Sequence, residues 1–146
     1  MSKNAEAAVA MFMEGYSCAQ SVLACCGRDR GLPQELAIRV SQAFGGGIGR
    51  TGNLCGALTG ALMVIGLKCA AVDPADAAAK ARAYELAEAV LSEFQRRNGT
   101  LLCRELVGCD LRTPDGQKHF HDSDAKGKVC AKAVRDAVEI VEQSLS

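Results

Sequence analysis

Eight cysteines occupy this chain of 146 residues, and four of them stand where a helix is expected to begin. Cys18 follows Gly15-Tyr16-Ser17, and Cys55 follows the glycine-rich stretch from Gly45 to Asn53. Cys103 follows Asn98-Gly99-Thr100, and Cys130 follows Asp122-Ser123-Asp124, with Lys126 and Lys128 as cationic neighbours. The first turn of a helix carries unpaired N–H groups and a partial positive charge. A thiol placed there loses its proton more readily and serves as a nucleophile or a metal ligand. The pattern points to thiolate chemistry: sulfur holding a metal or cluster, or thiol–disulfide exchange. The other four sulfurs read differently. Cys25, Cys26 and Cys69 fall at the far ends of their helices, where the dipole opposes a thiolate. They read as small buried hydrophobes. Adjacent Cys25 and Cys26 also point apart on a helix and make a poor chelating pair. Cys109 reads as packing or as a resolving thiol near Cys103.

The stretch before Cys55 is the most informative context. Gly47-Ile48-Gly49-Arg50-Thr51-Gly52 matches G-x-G-x-x-G literally, but the dinucleotide fingerprint needs a preceding strand, and a helix precedes it here. The better reading is backbone freedom. Gly47, Gly49 and Gly52 permit positive φ, and such a loop aims N–H groups at sulfur or at an anion. Gly56 leaves room beside the Cys55 sulfur. Arg50 adds positive charge to the same place or stands in solvent. Without a metal, Cys55 is the expected nucleophile. No C-x-x-C and no C-x-x-C-H occurs, which removes the signatures of thioredoxin-like exchange, zinc knuckles and covalent haem. His119 and His121 flank Phe120 in what reads as a solvated polar loop, and no hydrolytic constellation is visible.

The elements that must position these residues read as helices throughout. The chain is rich in Ala, Leu and Glu and lacks alternating β-branched runs. A first helix is expected over about Asn4 to Glu14, capped by Gly15. Ser17 and Gln20 then form a capping box for a second. Leu32-Pro33 opens a third, with Leu36, Ala37, Val40, Ala43 and Phe44 as its buried face. Asn53 is expected to cap a central apolar helix over about 54–68. A fifth helix starts near Asp73-Pro74 and carries Leu86, Val90 and Phe94 inward. Thr100 caps a short helix from Leu101 to Val107, Thr113 to Gly116 is a turn, and a last helix runs from about Lys126 to Ser144. The expectation is a single all-α domain over residues 1–146, about six or seven helices around the central one.

Bulk properties narrow the function. Seventeen basic and seventeen acidic side chains cancel, so no global field attracts nucleic acid. Aromatics are 4% with no Trp, which disfavours base stacking. The longest apolar run, Leu54 to Leu67, falls short of the roughly 20 residues that span a bilayer. With no signal-peptide pattern, the reading is cytoplasmic and without membrane insertion. So apolar a central helix suits a core shared across a two-fold axis, as in a homodimer.

Gly15-Tyr16-Ser17-Cys18-Ala19-Gln20, Phe44-Gly45-Gly46-Gly47-Ile48-Gly49, Cys55-Gly56-Ala57-Leu58-Thr59-Gly60, Cys103-Arg104-Glu105-Leu106 and Cys130 together resemble the C_GCAxxG_C_C family of redox-active proteins. The resemblance runs from about Ala5 to Glu142. The family is marked by four cysteines, which correspond to Cys18, Cys55, Cys103 and Cys130; Ser17 stands where Asn is usual. Cys25, Cys26, Cys69 and Cys109 are then additions of this chain. The resemblance extends to the iron–sulfur domain of split-Soret cytochromes, which implies a cluster as cargo. The resulting expectation is that the four thiolates bind an iron–sulfur cluster, most simply [2Fe–2S], for electron transfer or redox sensing with an unidentified redox partner. Gly47, Gly49, Gly52 and Gly56 would shape its seat. A metal-free thiol oxidoreductase or sensor using Cys55, and a structural Cys₄ zinc site, are the alternatives.

Overall fold

The computed structural model describes residues 2–146; Met1 lies outside them. Ser2 accepts a hydrogen bond from the Ala5 N–H and starts α1 (Lys3–Glu14), which ends at Gly15 with φ 117°. Ser17 and Gln20 cap one another's backbone reciprocally, and α2 (Cys18–Gly27) follows. Then come α3 (Gln34–Val40), α4 (Gly56–Cys69), α5 (Ala77–Asn98), α6 (Cys103–Val107), α7 (Pro114–Asp122) and α8 (Ala131–Leu145). A π-turn, Lys126–Cys130, runs directly into α8. Among the described residues the one β-type pairing is an isolated antiparallel bridge between Leu54 and Leu102. The domain is all-α.

The centre is the crossing of α2 and α4. Helix α4 is apolar nearly all round, and Gly56, Ala57, Leu58, Gly60, Ala61, Val64 and Ile65 are buried in it. Its glycines set the approach. A Cβ on Gly60 would lie 3.0 Å from the Ala19 carbonyl oxygen and 3.1 Å from Val22 Cβ. Around this crossing pack Ala5, Ala8 and Phe12 of α1, Leu86, Val90 and Phe94 of α5, and the apolar face of α8, Val134, Ala137, Val138 and Val141. Helix α8 is pinned by a polar contact. The buried Asp136 carboxylate accepts from Lys132 Nζ at 2.7 Å and from Asn98 Nδ2 at 3.1 Å, which joins α8 to the end of α5. A buried charge needs such partners to persist.

Several expectations are corrected. Helix α6 starts at Cys103 with Leu102 rather than Thr100 as its cap, and α5 starts at Ala77, capped by Asp76. Only Ala37 of α3's supposed inner face is buried; Leu36 and Val40 are about half exposed, at 46% and 50%, because the helix stops at Val40 and lies on the surface. Helix α4 starts at Gly56, with Cys55 rather than Asn53 as its cap; the Asn53 side chain bonds Thr51 Oγ1 instead. Thr113 to Gly116 is no mere turn: Thr113 Oγ1 accepts the Gly116 N–H and Pro114 opens α7, so His119 and His121 are helical. Cys130 ends a π-turn with helical φ and ψ on its far side and is not at a free helix start. No helix among the described residues is long and apolar enough to cross a membrane.

The packing of α4 generates a paired prediction. Gly60→Ala should destabilise the fold by about 1–3 kcal/mol through overpacking. Gly66→Ala, where a Cβ meets nothing within 4 Å, should gain up to ~1 kcal/mol of helix propensity. Urea midpoints that shift in the same direction for both would refute the close approach at Gly60.

Candidate functional site

The site is built on a left-handed turn. Gly46, Gly47, Ile48, Gly49 and Arg50 all have positive φ, between 57° and 68°. For L-residues this winding costs roughly 1–2 kcal/mol per residue, which explains three glycines in five positions. The turn is held by its own backbone: Gly49 N–H donates to Ala43 (2.8 Å), Arg50 N–H to Gly45 (3.0 Å), Gly52 N–H to Gly46 (3.1 Å) and Asn53 N–H to Gly47 (2.9 Å). Its exit then docks on α6. Cys103 N–H donates to the Asn53 carbonyl at 2.7 Å, Arg104 N–H to the Gly52 carbonyl at 3.1 Å, and Cys55 N–H to the Leu101 carbonyl at 2.9 Å. This ladder sets Cys55 and Cys103 side by side. Gly47 and Gly52 are needed for it: a Cβ on Gly47 would fall 2.5 Å from Cys103 Cβ, and one on Gly52 2.8 Å from Arg104 Cβ. Gly56 allows the third sulfur near, since its Cβ would sit 3.3 Å from Cys18 Cβ.

Cys18, Cys55, Cys103 and Cys130 line one open cavity of about 660 Å³, together with Gly47, Gly49 and Gly56. Gly52 faces an outer cleft with Arg104 and Cys109. Sulfur is the cavity's only metal-binding side-chain donor of the usual Cys, His and carboxylate set, because no His, Asp or Glu lines it. Among the described residues, no three Cys, His, Asp or Glu side chains gather closely enough to hold a single metal ion. All eight cysteines are free thiols.

Cys18 and Cys103 open α2 and α6 and Cys55 caps α4, but of these three only Cys55 is held low. Cys55 is held below the usual thiol range, first by the Cys18 thiol beside it, then by the Ala57 and Leu58 N–H groups that face it, against the cost of burial. Those amides approach at longer range than an ordinary cap hydrogen bond. Cys18 is pushed well up by the neighbouring Cys130 and Cys55 sulfurs and then by burial. Cys103 is pushed up to about 12, chiefly by burial and then by the neighbouring Cys55 and Cys130 sulfurs. The first N–H groups of α6 donate to Asn53 and Gly52, so α6 offers its thiol no free dipole.

The remaining thiols are mostly packing. Cys25 and Cys26 are buried in α2, Cys25 Sγ lies 3.5 Å from Met11 Sδ, and burial pushes Cys26 up to about 12. Cys69 is half-buried against the main core. Cys109 packs with Leu111, Phe120 and Cys130 in a small second cluster around Cys103, Val107 and Ala125. His121 is exposed beside Asp122, and neither histidine lines the cavity. Sequence reasoning missed Gln117, Phe120 and Lys126 as lining residues. The Thr113-Pro114 cap signal would have revealed α7, which carries the first two. Lys126 was read only as a neighbour of Cys130, whereas its ammonium stands 5.5 Å from the Phe12 ring centroid.

Comparison with known proteins gives a family-model match over residues 16–144, to C_GCAxxG_C_C, described as "Putative redox-active protein". No curated protein and no solved structure matches.

Two outcomes follow from the geometry. In the reduced, metal-free protein, iodoacetamide should modify Cys55 at a lower pH than Cys103, because the thiolate of Cys55 persists to lower pH while Cys103 stays protonated toward 12; peptide mass spectrometry reads the two onsets, and coincident onsets contradict the assignment. Gly47→Ala should lose about 1–2 kcal/mol from φ alone, with a further loss from the clash with Cys103, so its thermal midpoint should fall more than that of Gly49→Ala, where the nearest atom to a Cβ is 3.9 Å away.

Proposed function

The chain belongs to the C_GCAxxG_C_C family, and we propose that its four family cysteines hold an iron–sulfur cluster used for electron transfer or redox sensing. The observation that carries the reading is the all-sulfur lining: four thiols from four separate segments face one cavity, and no carboxylate or imidazole competes there. The donor chemistry fits, because iron–sulfur clusters are held by four cysteine thiolates. Cys18, Cys55, Cys103 and Cys130 would be the ligands, and the group would supply one-electron exchange when bound.

The chain's own residues shape the environment. The Ala57 and Leu58 N–H groups favour negative charge on the Cys55 sulfur. Gly47 and Gly56 keep side-chain bulk away from Cys103 and Cys18. Phe12, Leu106, Val107 and Phe120 supply apolar walls, which lower the local dielectric and limit water.

A second reading is favoured by the state of one thiol. Cys55, held below the usual thiol range, shares its cavity with Cys18. Cys55 thiolate would attack a disulfide of a partner, releasing one partner thiolate, and Cys18 would displace the second while closing a Cys18–Cys55 bond.

Iron and acid-labile sulfide analysis of anaerobically purified protein separates them. Iron and sulfide in matching amounts are expected, with loss in Ser variants of Cys18, Cys55, Cys103 or Cys130 and retention in Cys25→Ser and Cys69→Ser. A protein free of iron after anaerobic reconstitution would sink the cluster. If mild oxidation of that same protein links Cys18 to Cys55, the dithiol reading replaces it.

A further inference from the structure

The charged side chains lining the thiol cavity are Arg50 and Lys126, and both are cations. The chain as a whole has seventeen residues of each sign, so this lining is one-signed against a neutral background. Neither cation has a carboxylate partner among the described residues. Lys126 lies over the Phe12 ring instead, and Arg50 is exposed at the open side of the cavity.

The backbone under Arg50 adds an independent observation. Arg50 has φ 67° in a turn otherwise dominated by glycine. Glycine there would avoid the steric cost. Ile48 shares that conformation but does not line the cavity; strain kept at Arg50, which does, is a pointer to a use for its side chain. The stem of that side chain crosses the turn, with Cγ 3.0 Å from where a Gly46 Cβ would stand, so Gly46 makes room for it. Tyr16 and Gln42 add neutral hydrogen-bonding groups to the same lining.

We propose that this cavity admits a small molecule bearing an anionic oxygen group, a carboxylate or a tetrahedral oxyanion, anchored by Arg50 and Lys126 beside the thiols. The guanidinium fork takes two oxygens of such a group, and the ammonium shares one of them or takes a third on a tetrahedral oxyanion. A volume of about 660 Å³ is in the range of small-ligand sites, roughly 300–1,000 Å³. The assignment needs only the cavity and its two cations and stands apart from the iron–sulfur reading.

The test is calorimetric titration of the anaerobically purified, reduced protein with inorganic phosphate and, separately, with malonate, against sodium chloride at matched ionic strength. Saturable binding of phosphate or malonate is expected, and whichever binds identifies the oxygen group. Arg50→Gly and Lys126→Gln should each weaken it about tenfold or more, the loss of one charge-assisted contact. Arg50→Gly should also raise the thermal midpoint, since it relieves the strained φ, so weakened binding cannot be laid to unfolding. Absence of saturable binding by the wild type, or binding by both variants at wild-type strength, overturns the proposal. Loss of iron in Arg50→Gly with no oxyanion binding by the wild type also overturns it, by making Arg50 a counter-charge to the thiol-held group, and leaves the iron reading standing.

Discussion

One hydrogen bond, from the Cys103 N–H to the Asn53 carbonyl at 2.7 Å, ties together two cysteine segments some fifty residues apart in sequence. It forms because the chain before Asn53 winds left-handed and turns that carbonyl toward α6. A right-handed turn would send the chain elsewhere, and a side chain at Gly47 would fill the space Cys103 occupies. The same contact uses the first donor of α6, and the next, Arg104 N–H, goes to Gly52. Backbone donors that would otherwise face a ligand serve here as structural pins. The site thus trades electrostatic help at Cys103 for a fixed distance between Cys55 and Cys103.

That trade explains why the four thiols differ. All four line one cavity, yet burial opposes ionisation; it is the chief cause at Cys103, whereas the neighbouring sulfurs come first at Cys18. Cys55 is the exception, because it caps α4, where the Ala57 and Leu58 amides face it, and has the Cys18 thiol beside it. Cys18 and Cys103, both pushed up, stand as neutral donors. A group able to draw electron density from several sulfurs would invert that balance, since a coordinating thiol is deprotonated outright.

Much of this was legible in the sequence, and the residues say why. The Ser17–Gln20 capping box and the Gly15 stop depend on neighbours within a few positions, so both are legible locally. The apolar circumference of α4 announced the core. Selection of Cys18, Cys55, Cys103 and Cys130 also came from local context, although two of the reasons were wrong: Cys103 has no free helix start, and Cys130 sits in a π-turn. What local reading could not reach was tertiary pairing. Asn53 has the chemistry of a cap, but its place in the ladder to α6 delays the helix to Gly56. Ile48 and Arg50 at positive φ are invisible to propensity, which assigns such angles to glycine and asparagine. Leu36 and Val40 have helical spacing, but spacing does not reveal that nothing packs against that face.

The four cysteines also stand on supports of unequal strength. Cys18 and Cys55 belong to α2 and α4, whose small residues interlock in the main core. Cys103 belongs to a five-residue helix, and it packs in a satellite of three buried residues, with Val107 and Ala125. Cys130 touches both clusters at the end of a π-turn, a geometry that occurs often at functional sites. Local opening follows buried contact. The side of the cavity formed by α6, α7 and the π-turn therefore yields at lower free energy than the side formed by α2 and α4. A rigid half holds the thiol of lowered pKa, and a compliant half brings two sulfurs to meet it.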